Sequence, residues 1–300
     1  MHLLMILSFT LLCLDPVYGA WELDAKKNTM IVDIDSDEKA TVNVKCRSRD
    51  HQTVCWRKKK RALGCNMELN LKVKEQVDGG NFTCHSDNGL ILDYKLILLH
   101  MQNVPQHKRI FSKSGEIVKC SVKSYSGNFS CSWNSTDDNN IEYIFKAYRS
   151  ENNSIYCDEP TKNKNQYTVE CRDTQTCIYE EEDQSITVVL HAIQLHRYEN
   201  YTMSFMLREI TKPDPPQELD INSTKDNKHI LIHWKYPKTW CNLHSFFPLI
   251  FNVQITKDKR TTEHQTEVTT FKADKNIKSF CVQARDKFFN STWSEWSCYK

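Results

Sequence analysis

The sequence predicts an all-β chain built as three sandwiches in a row. Three observations point there. Short segments with apolar–polar alternation recur along the chain. No stretch holds the 3.6-residue periodicity of an amphipathic helix over a useful length. The chain has 300 residues with 13 cysteines, which fits two or three disulfide-stabilised domains of roughly 100 residues.

The chain opens on an apolar run, Leu3–Leu14, followed by Asp15, Pro16 and small residues. Such a run is too short to span a bilayer and reads as a signal-peptide core, although its basic leading segment is missing. Cleavage after Gly19, with Val17 at position −3, makes residues 1–19 the signal and removes Cys13. No later run reaches the ~18 apolar residues of a membrane span, and no apolar tail for a lipid anchor follows Ser297. A secreted, extracellular product is expected, with disulfides as the default state of its cysteines. Seven Asn-X-Ser/Thr sequons agree: Asn81, Asn128, Asn134, Asn152, Asn200, Asn222 and Asn290.

Residues 20–102 form the first predicted domain. Ala40–Cys46 alternates, Val54-Cys-Trp56 follows, then Asp78-Gly-Gly-Asn-Phe-Thr-Cys84, then the long apolar strand Leu90–Leu99. Cys, Trp ten residues on and Asp-X-Gly-X-Phe-X-Cys is the immunoglobulin arrangement, with a Cys46–Cys84 bridge against Trp56. Phe82 stands where a tyrosine hydroxyl is usual. Cys55 and Cys65 are symmetric about Lys60, so a hairpin turning there sets them opposite each other.

Residues 103–212 form the second. Cys120 and Cys131 flank the turn cluster Tyr-Ser-Gly-Asn and read as a bridged hairpin, with Trp133 on the face of Cys131. Cys157 and Cys171 pair across a polar loop, which leaves Cys177 over. An odd thiol in a secreted domain is intermolecular or free.

Lys212-Pro-Asp-Pro-Pro216 is a stiff joint, because three prolines remove three backbone donors and fix φ. In residues 213–300, His229–Tyr236, Phe251–Ile255 and the strand from Cys281 alternate. The last of these puts Gln283, Arg285 and Lys287 on one face and Val282 and Ala284 on the other. Trp293-Ser-Glu-Trp-Ser297 cannot be a regular strand with both indoles inward, since i and i+3 fall on opposite faces. A cationic face beside Trp293 and Trp296 suggests a stacked ladder with Gln283, Arg285 and Lys287. Cys281 and Cys298 are symmetric about Phe289-Asn290 and can pair across a hairpin, leaving Cys241 free, capped or bound to another chain. A Cys241–Cys281 bridge is the alternative.

Cys120-X10-Cys131-Ser-Trp133, a second cysteine pair, the proline-rich joint and Trp-Ser-Glu-Trp-Ser together resemble the class I cytokine-receptor family. Trp21-Glu-Leu, Tyr198-Glu-Asn-Tyr-Thr202 and Lys212-Pro-Asp-Pro-Pro216 extend the likeness over the whole mature chain, toward its secreted, receptor-like branch that pairs with a four-helix cytokine subunit. The resemblance implies an immunoglobulin-like sandwich followed by two fibronectin type III sandwiches. It implies that the first domain meets a cell-surface receptor chain and that the second/third domain elbow grips the helical alpha subunit. It implies that Cys177 makes the interchain disulfide, and that Asp286, Phe246, Phe288, Phe289 and Glu181 bind the partner, Asp286 by receiving an arginine. The plainer readings are a turn residue for Asp286 and sandwich core for the phenylalanines. Activation of T and natural-killer cells, a homodimeric form and C-mannosylation of Trp293 are further implications. A soluble alpha receptor that binds a helical cytokine reversibly is the alternative, and an adhesion module of the same repeats is a second.

No H-E-X-X-H, G-X-S-X-G, C-X-X-C or phosphate-cradling glycine loop is present, and the histidines lack metal-ligand spacing. An enzyme, a cofactor and a metal are therefore not expected. A net charge of +2 argues against nucleic acid. Arg57-Lys-Lys-Lys-Arg61 suits heparan sulfate or a convertase, or is the solvated tip of the Cys55–Cys65 hairpin; Lys257–Arg260 is a lesser patch of that kind.

Overall fold

The computed structural model describes residues 19–35, 39–48, 53–101, 109–111, 116–135, 140–150, 153–174, 182–224, 228–240, 247–258 and 260–299. Most of the signal segment lies outside these residues, as do Asn152, Cys177, Glu181, Cys241 and Phe246. Among the described residues there is no α-helix; there are 23 strands and short 3-10 turns at Gln76–Asp78 and Leu207–Glu209. No helix there is long and apolar enough to cross a membrane. The chain is all-β, an immunoglobulin-like sandwich followed by two of fibronectin type III kind. It divides into two compact units. One holds the described residues up to Ile110 with Asn140–Glu142 and Ala192–Glu199; the other holds Phe111–Asn139, Tyr143–His191 and Asn200–Lys300.

The first sandwich contains β1 (Ala20–Glu22), β2 (Thr29–Ile34), β3 (Ala40–Lys45), β4 (Val54–Lys58), β5 (Arg61–Gly64), β6 (Glu68–Val73), β7 (Gly80–Ser86) and β8 (Ile91–Met101). One layer runs β5-β4-β7-β8, with β2 parallel to β8 and β1 on β2; the other is the pair β3-β6. Alternation decides the faces. In β3, Ala40, Val42 and Val44 are buried while Thr41, Asn43 and Lys45 face water. In β8, the consecutive residues Ile97, Leu98 and Leu99 are all buried, as suits a strand covered on both faces. The Cys46–Cys84 bridge and Trp56 sit in this core.

The second sandwich contains β9 (Val118–Val122), β10 (Asn128–Asn134), β11 (Ile141–Ser150), β12 (Asn153–Cys157), β13 (Thr161–Asn163), β14 (Gln166–Arg172), β15 (Ile186–Gln194) and β16 (Arg197–Phe205). β9, β10 and β14 form one run and β16, β15 and β11 the other, with β12 pairing into both. Trp133 lies parallel between Phe145 and Tyr167, at 5.8 and 5.7 Å between ring centres.

The third contains β17 (Gln217–Ser223), β18 (His229–Lys235), β19 (Leu249–Lys257), β20 (Arg260–Thr266), β21 (Thr270–Asp274), β22 (Ser279–Asp286) and β23 (Ser297–Tyr299). Its sheets run β17-β18-β21 and β20-β19-β22-β23. Ile230, Ile232 and Trp234 of β18 and Val282, Ala284 and Asp286 of β22 point inward.

Among the described residues five disulfides are formed. Cys46–Cys84 has its Cα atoms 6.0 Å apart. The other four have Cα atoms 3.9 to 4.1 Å apart: Cys120–Cys131, Cys157–Cys171 and Cys281–Cys298 join opposed strand positions, and Cys55–Cys65 joins β4 to the residue just after β5. Directly opposed residues of an antiparallel pair approach this closely where no ladder hydrogen bond separates them. Cys281 thus pairs with Cys298 in register on β22 and β23, and a Cys241–Cys281 bridge is ruled out.

Candidate functional site

The elbow between the second and third sandwiches lies inside one compact unit. Just before the joint, the backbone is captured by β9: Val122 N–H donates to Ile210 O at 3.1 Å, and Lys212 N–H donates to Val122 O at 2.8 Å. Within the joint, Asp214 pairs with Lys123 at 3.1 Å and accepts the Thr239 hydroxyl at 2.7 Å. Proline stiffness and these side-chain ties act together on the joint.

Asp286 is the last residue of β22, not part of the following loop. Its side chain shares the inward face with Val282 and Ala284, and the residue is 0% exposed. Oδ1 accepts the backbone N–H groups of Phe288 at 2.7 Å and Phe289 at 2.8 Å. Oδ2 accepts the Tyr125 hydroxyl at 3.2 Å. Ser291 Oγ accepts the Asp286 N–H at 2.9 Å. A buried carboxylate is tolerable only with such donors, and here they also shape the 286–291 loop. Asp286 thus holds the start of the turn that carries Phe288 and Phe289.

Tyr125 leads the Tyr-Ser-Gly-Asn turn and is the centre of an aromatic cluster. Phe247 stacks on it at 4.3 Å, while Trp240 and Phe289 meet it edge-on at 5.9 and 6.4 Å. Burial, then the Asp286 carboxylate, push its phenol well above the usual tyrosine range, so it remains a donor. Phe288 and Phe289 are 59% and 42% exposed, an aromatic ridge and not sandwich core. The Arg208 guanidinium lies over the Phe289 ring at 5.5 Å.

Polar contacts close a ring around the elbow. Arg208 Nη1 donates to Glu182 O at 3.1 Å, and the Glu182 carboxylate accepts Leu207 N–H at 3.0 Å. The same carboxylate takes Arg149 Nη2 at 2.8 Å, while Arg149 Nε reaches Asp173 at 2.6 Å. Arg149 Nη1 also donates to Gln184 O. Burial opposes the guanidinium charge, but the bonds to Asp173 and Glu182 outweigh it and raise the Arg149 pKa. Asp173 N–H in turn donates to Gly127 O at 3.0 Å, which returns to the Tyr125 turn. Gly127 has φ +80, and a Cβ there would stand 2.3 Å from Asp173 O.

The Trp-Ser-Glu-Trp-Ser stretch packs on β22. Ser294 N–H donates to Ala284 O at 2.8 Å, and Ser294 Oγ accepts Ala284 N–H at 2.9 Å. One cation–aromatic rung forms, Arg285 over Trp293 at 4.6 Å. Lys287 turns instead to Glu267 at 2.8 Å, and Trp296 and Gln283 add no rung among the described residues. In the first sandwich, Arg57, Lys59, Lys60 and Arg61 are exposed on the β4–β5 hairpin. Lys58 folds back: Nζ donates to Val77 O at 2.7 Å and Asp78 O at 2.8 Å and lies over Phe82. The tip is therefore only partly solvated. The six described sequon asparagines, Asn81, Asn128, Asn134, Asn200, Asn222 and Asn290, are all exposed.

Of the partner-binding residues drawn from the sequence, Asp286, Phe288 and Phe289 come together; Phe246 and Glu181 lie outside the described residues. Tyr125, Phe247, Arg208 and the Arg149–Asp173–Glu182 cluster went unnoticed as site residues. No local pattern marked them, because their partners lie far away along the chain.

Comparison with known proteins gives a consistent picture. Residues 115–194 match the family model described as cytokine interleukin-12p40 C-terminus. The pig interleukin-12 subunit beta is 34% identical over 327 aligned positions, covering 99% of this chain and 98% of the pig protein. The sheep interleukin-12 subunit beta is also 34% identical, covering 98% and 97%, and the cat protein of that name is 32% identical, covering 97% and 95%.

Proposed function

The chain belongs to the interleukin-12 subunit beta family, and from that premise we propose that it is the secreted, receptor-like subunit of a heterodimeric cytokine. It seats a four-helix alpha subunit at the elbow and presents it to cell-surface receptors. The observation that carries this reading is the exposed Phe288–Phe289 ridge, held on a fully buried Asp286 beside the stiff joint. A buried charge beneath exposed aromatics suits a partner cation: the ring faces meet it, and the carboxylate adds attraction from below. Three of the hydrogen-bonding positions of Asp286 are already filled, so the partner's arginine lies against the ridge and feels Asp286 through it.

Cys177 then makes the covalent link. The support for this is the odd thiol that the paired cysteines of its domain leave over. The immunoglobulin-like sandwich engages the receptor chain, in an interleukin-12-type signal to T and natural-killer cells. The same elbow serves a second alpha subunit in an interleukin-23-type cytokine, and the chain alone forms a homodimer. The exposed cations Arg57, Lys59, Lys60 and Arg61 give the first sandwich a surface for heparan sulfate.

The test is co-expression with a four-helix alpha subunit, followed by non-reducing electrophoresis of the secreted protein. Wild type should run as a heterodimer and Cys177→Ser as separate subunits. Phe288→Ala with Phe289→Ala should lower capture by about tenfold, as loss of a central aromatic anchor does. A wild-type chain that captures no alpha subunit would leave the soluble-receptor reading ahead.

A further inference from the structure

Asn290 sits on the loop that carries the partner-binding ridge. It follows Phe289 directly, is exposed and has φ +48, a left-handed conformation that asparagine tolerates better than most residues. Thr292, the hydroxyl residue of its Asn-Ser-Thr sequon, is exposed as well. Ser291 between them is buried, and its Oγ accepts the Asp286 N–H at 2.9 Å. Asp286 holds the two residues before Asn290 through their backbone amides. A group attached to Asn290 therefore leaves from a loop that cannot swing it far from Phe288 and Phe289.

We propose that Asn290 is an N-glycosylation site whose glycan competes with the alpha subunit for the aromatic ridge. This rests on the elbow reading and adds regulation to it. A bulky, hydrated glycan next to two exposed phenylalanines covers apolar surface that would otherwise face water. In the free chain that cover is favourable. In the heterodimer the same ridge must be dehydrated against the partner, and a glycan there obstructs close packing. The attachment is made on the nascent chain, before assembly. The fraction of chains left unmodified at Asn290 thus sets how much enters the heterodimer and how much leaves alone.

The experiment co-expresses the chain with a four-helix alpha subunit and separates secreted heterodimer from free chain. Glycan occupancy of the tryptic peptide Phe288–Lys300 is then measured by mass spectrometry in both pools. Occupancy should be high in the free chain and depleted in the heterodimer. Thr292→Ala, which destroys the sequon but leaves Asn290 and Ser291, should raise the heterodimer fraction about threefold, the effect of uncovering a central contact. Thr292→Ser keeps the sequon and should leave the partition as in wild type. Equal occupancy in the two pools, or no glycan at Asn290, would overturn the proposal. Failure of every variant, Thr292→Ala included, to form heterodimer would instead remove the elbow reading and this inference with it.

Discussion

A single carboxylate organises the elbow. Asp286 is wholly buried and takes two backbone amides and a phenol. Replacing it with Ala leaves three donors in an apolar setting, at a cost of about 1–3 kcal/mol for each one left without water. Asp286→Ala should therefore destabilise the chain by about 3–5 kcal/mol in urea unfolding, since some of those donors will be rehydrated as the loop loosens. Tyr125→Phe removes one partner and keeps the ring packed on Phe247; about 1 kcal/mol is expected. The two changes should be less than additive, because they remove opposite ends of one hydrogen bond. Strict additivity would mean that the Tyr125–Asp286 bond contributes nothing.

At the scale of elements, Arg149 of β11 is the side chain on which three segments converge: the end of β14 through Asp173, the approach to β15 through Glu182, and the turn before the joint through the Glu182 bond to Leu207. Its side chain and those of its two carboxylates are nearly buried, at 8%, 1% and 9% exposure. Removing one member of a buried ionic group strands the others. Arg149→Met should cost about 3–5 kcal/mol, and Arg149→Lys should recover only part of it, because an ammonium cannot bond both carboxylates in the same plane. Chemical denaturation of the two variants checks this, and equal stability of Met and wild type would show the cluster to be replaceable by packing. The paired strands around it were legible in the sequence: alternation placed β3, β18 and β22, and turn chemistry placed the β9–β10 hairpin. The Arg149 cluster was not legible, because its members lie 24 and 33 residues apart and nothing local marks them as neighbours.

For the whole molecule, the division into two compact units has a thermodynamic consequence. Domains with separate cores break the two-state approximation, so calorimetry should resolve two transitions. Trp56→Ala, in the core with Cys46 and Cys84, should lower only one of them. Gly127→Ala, which forces a Cβ against Asp173 O at a positive φ, should lower only the other. A single transition moved by both substitutions would show that the two cores unfold as one.

The sequence by itself determined the all-β class, the alternation that turns each strand's apolar face inward, the stiff joint at Lys212–Pro216 and the motif set that points to the cytokine-receptor kind. All of these rest on spacings of a few residues, where backbone geometry reads directly from residue order. Only the tertiary structure decided that Asp286 lies beneath the surface, that Phe288 and Phe289 stand out on it, and that Tyr125 reaches that carboxylate across 161 residues of chain. Burial and long-range pairing depend on which sandwiches meet at the elbow, and no local pattern carries that information.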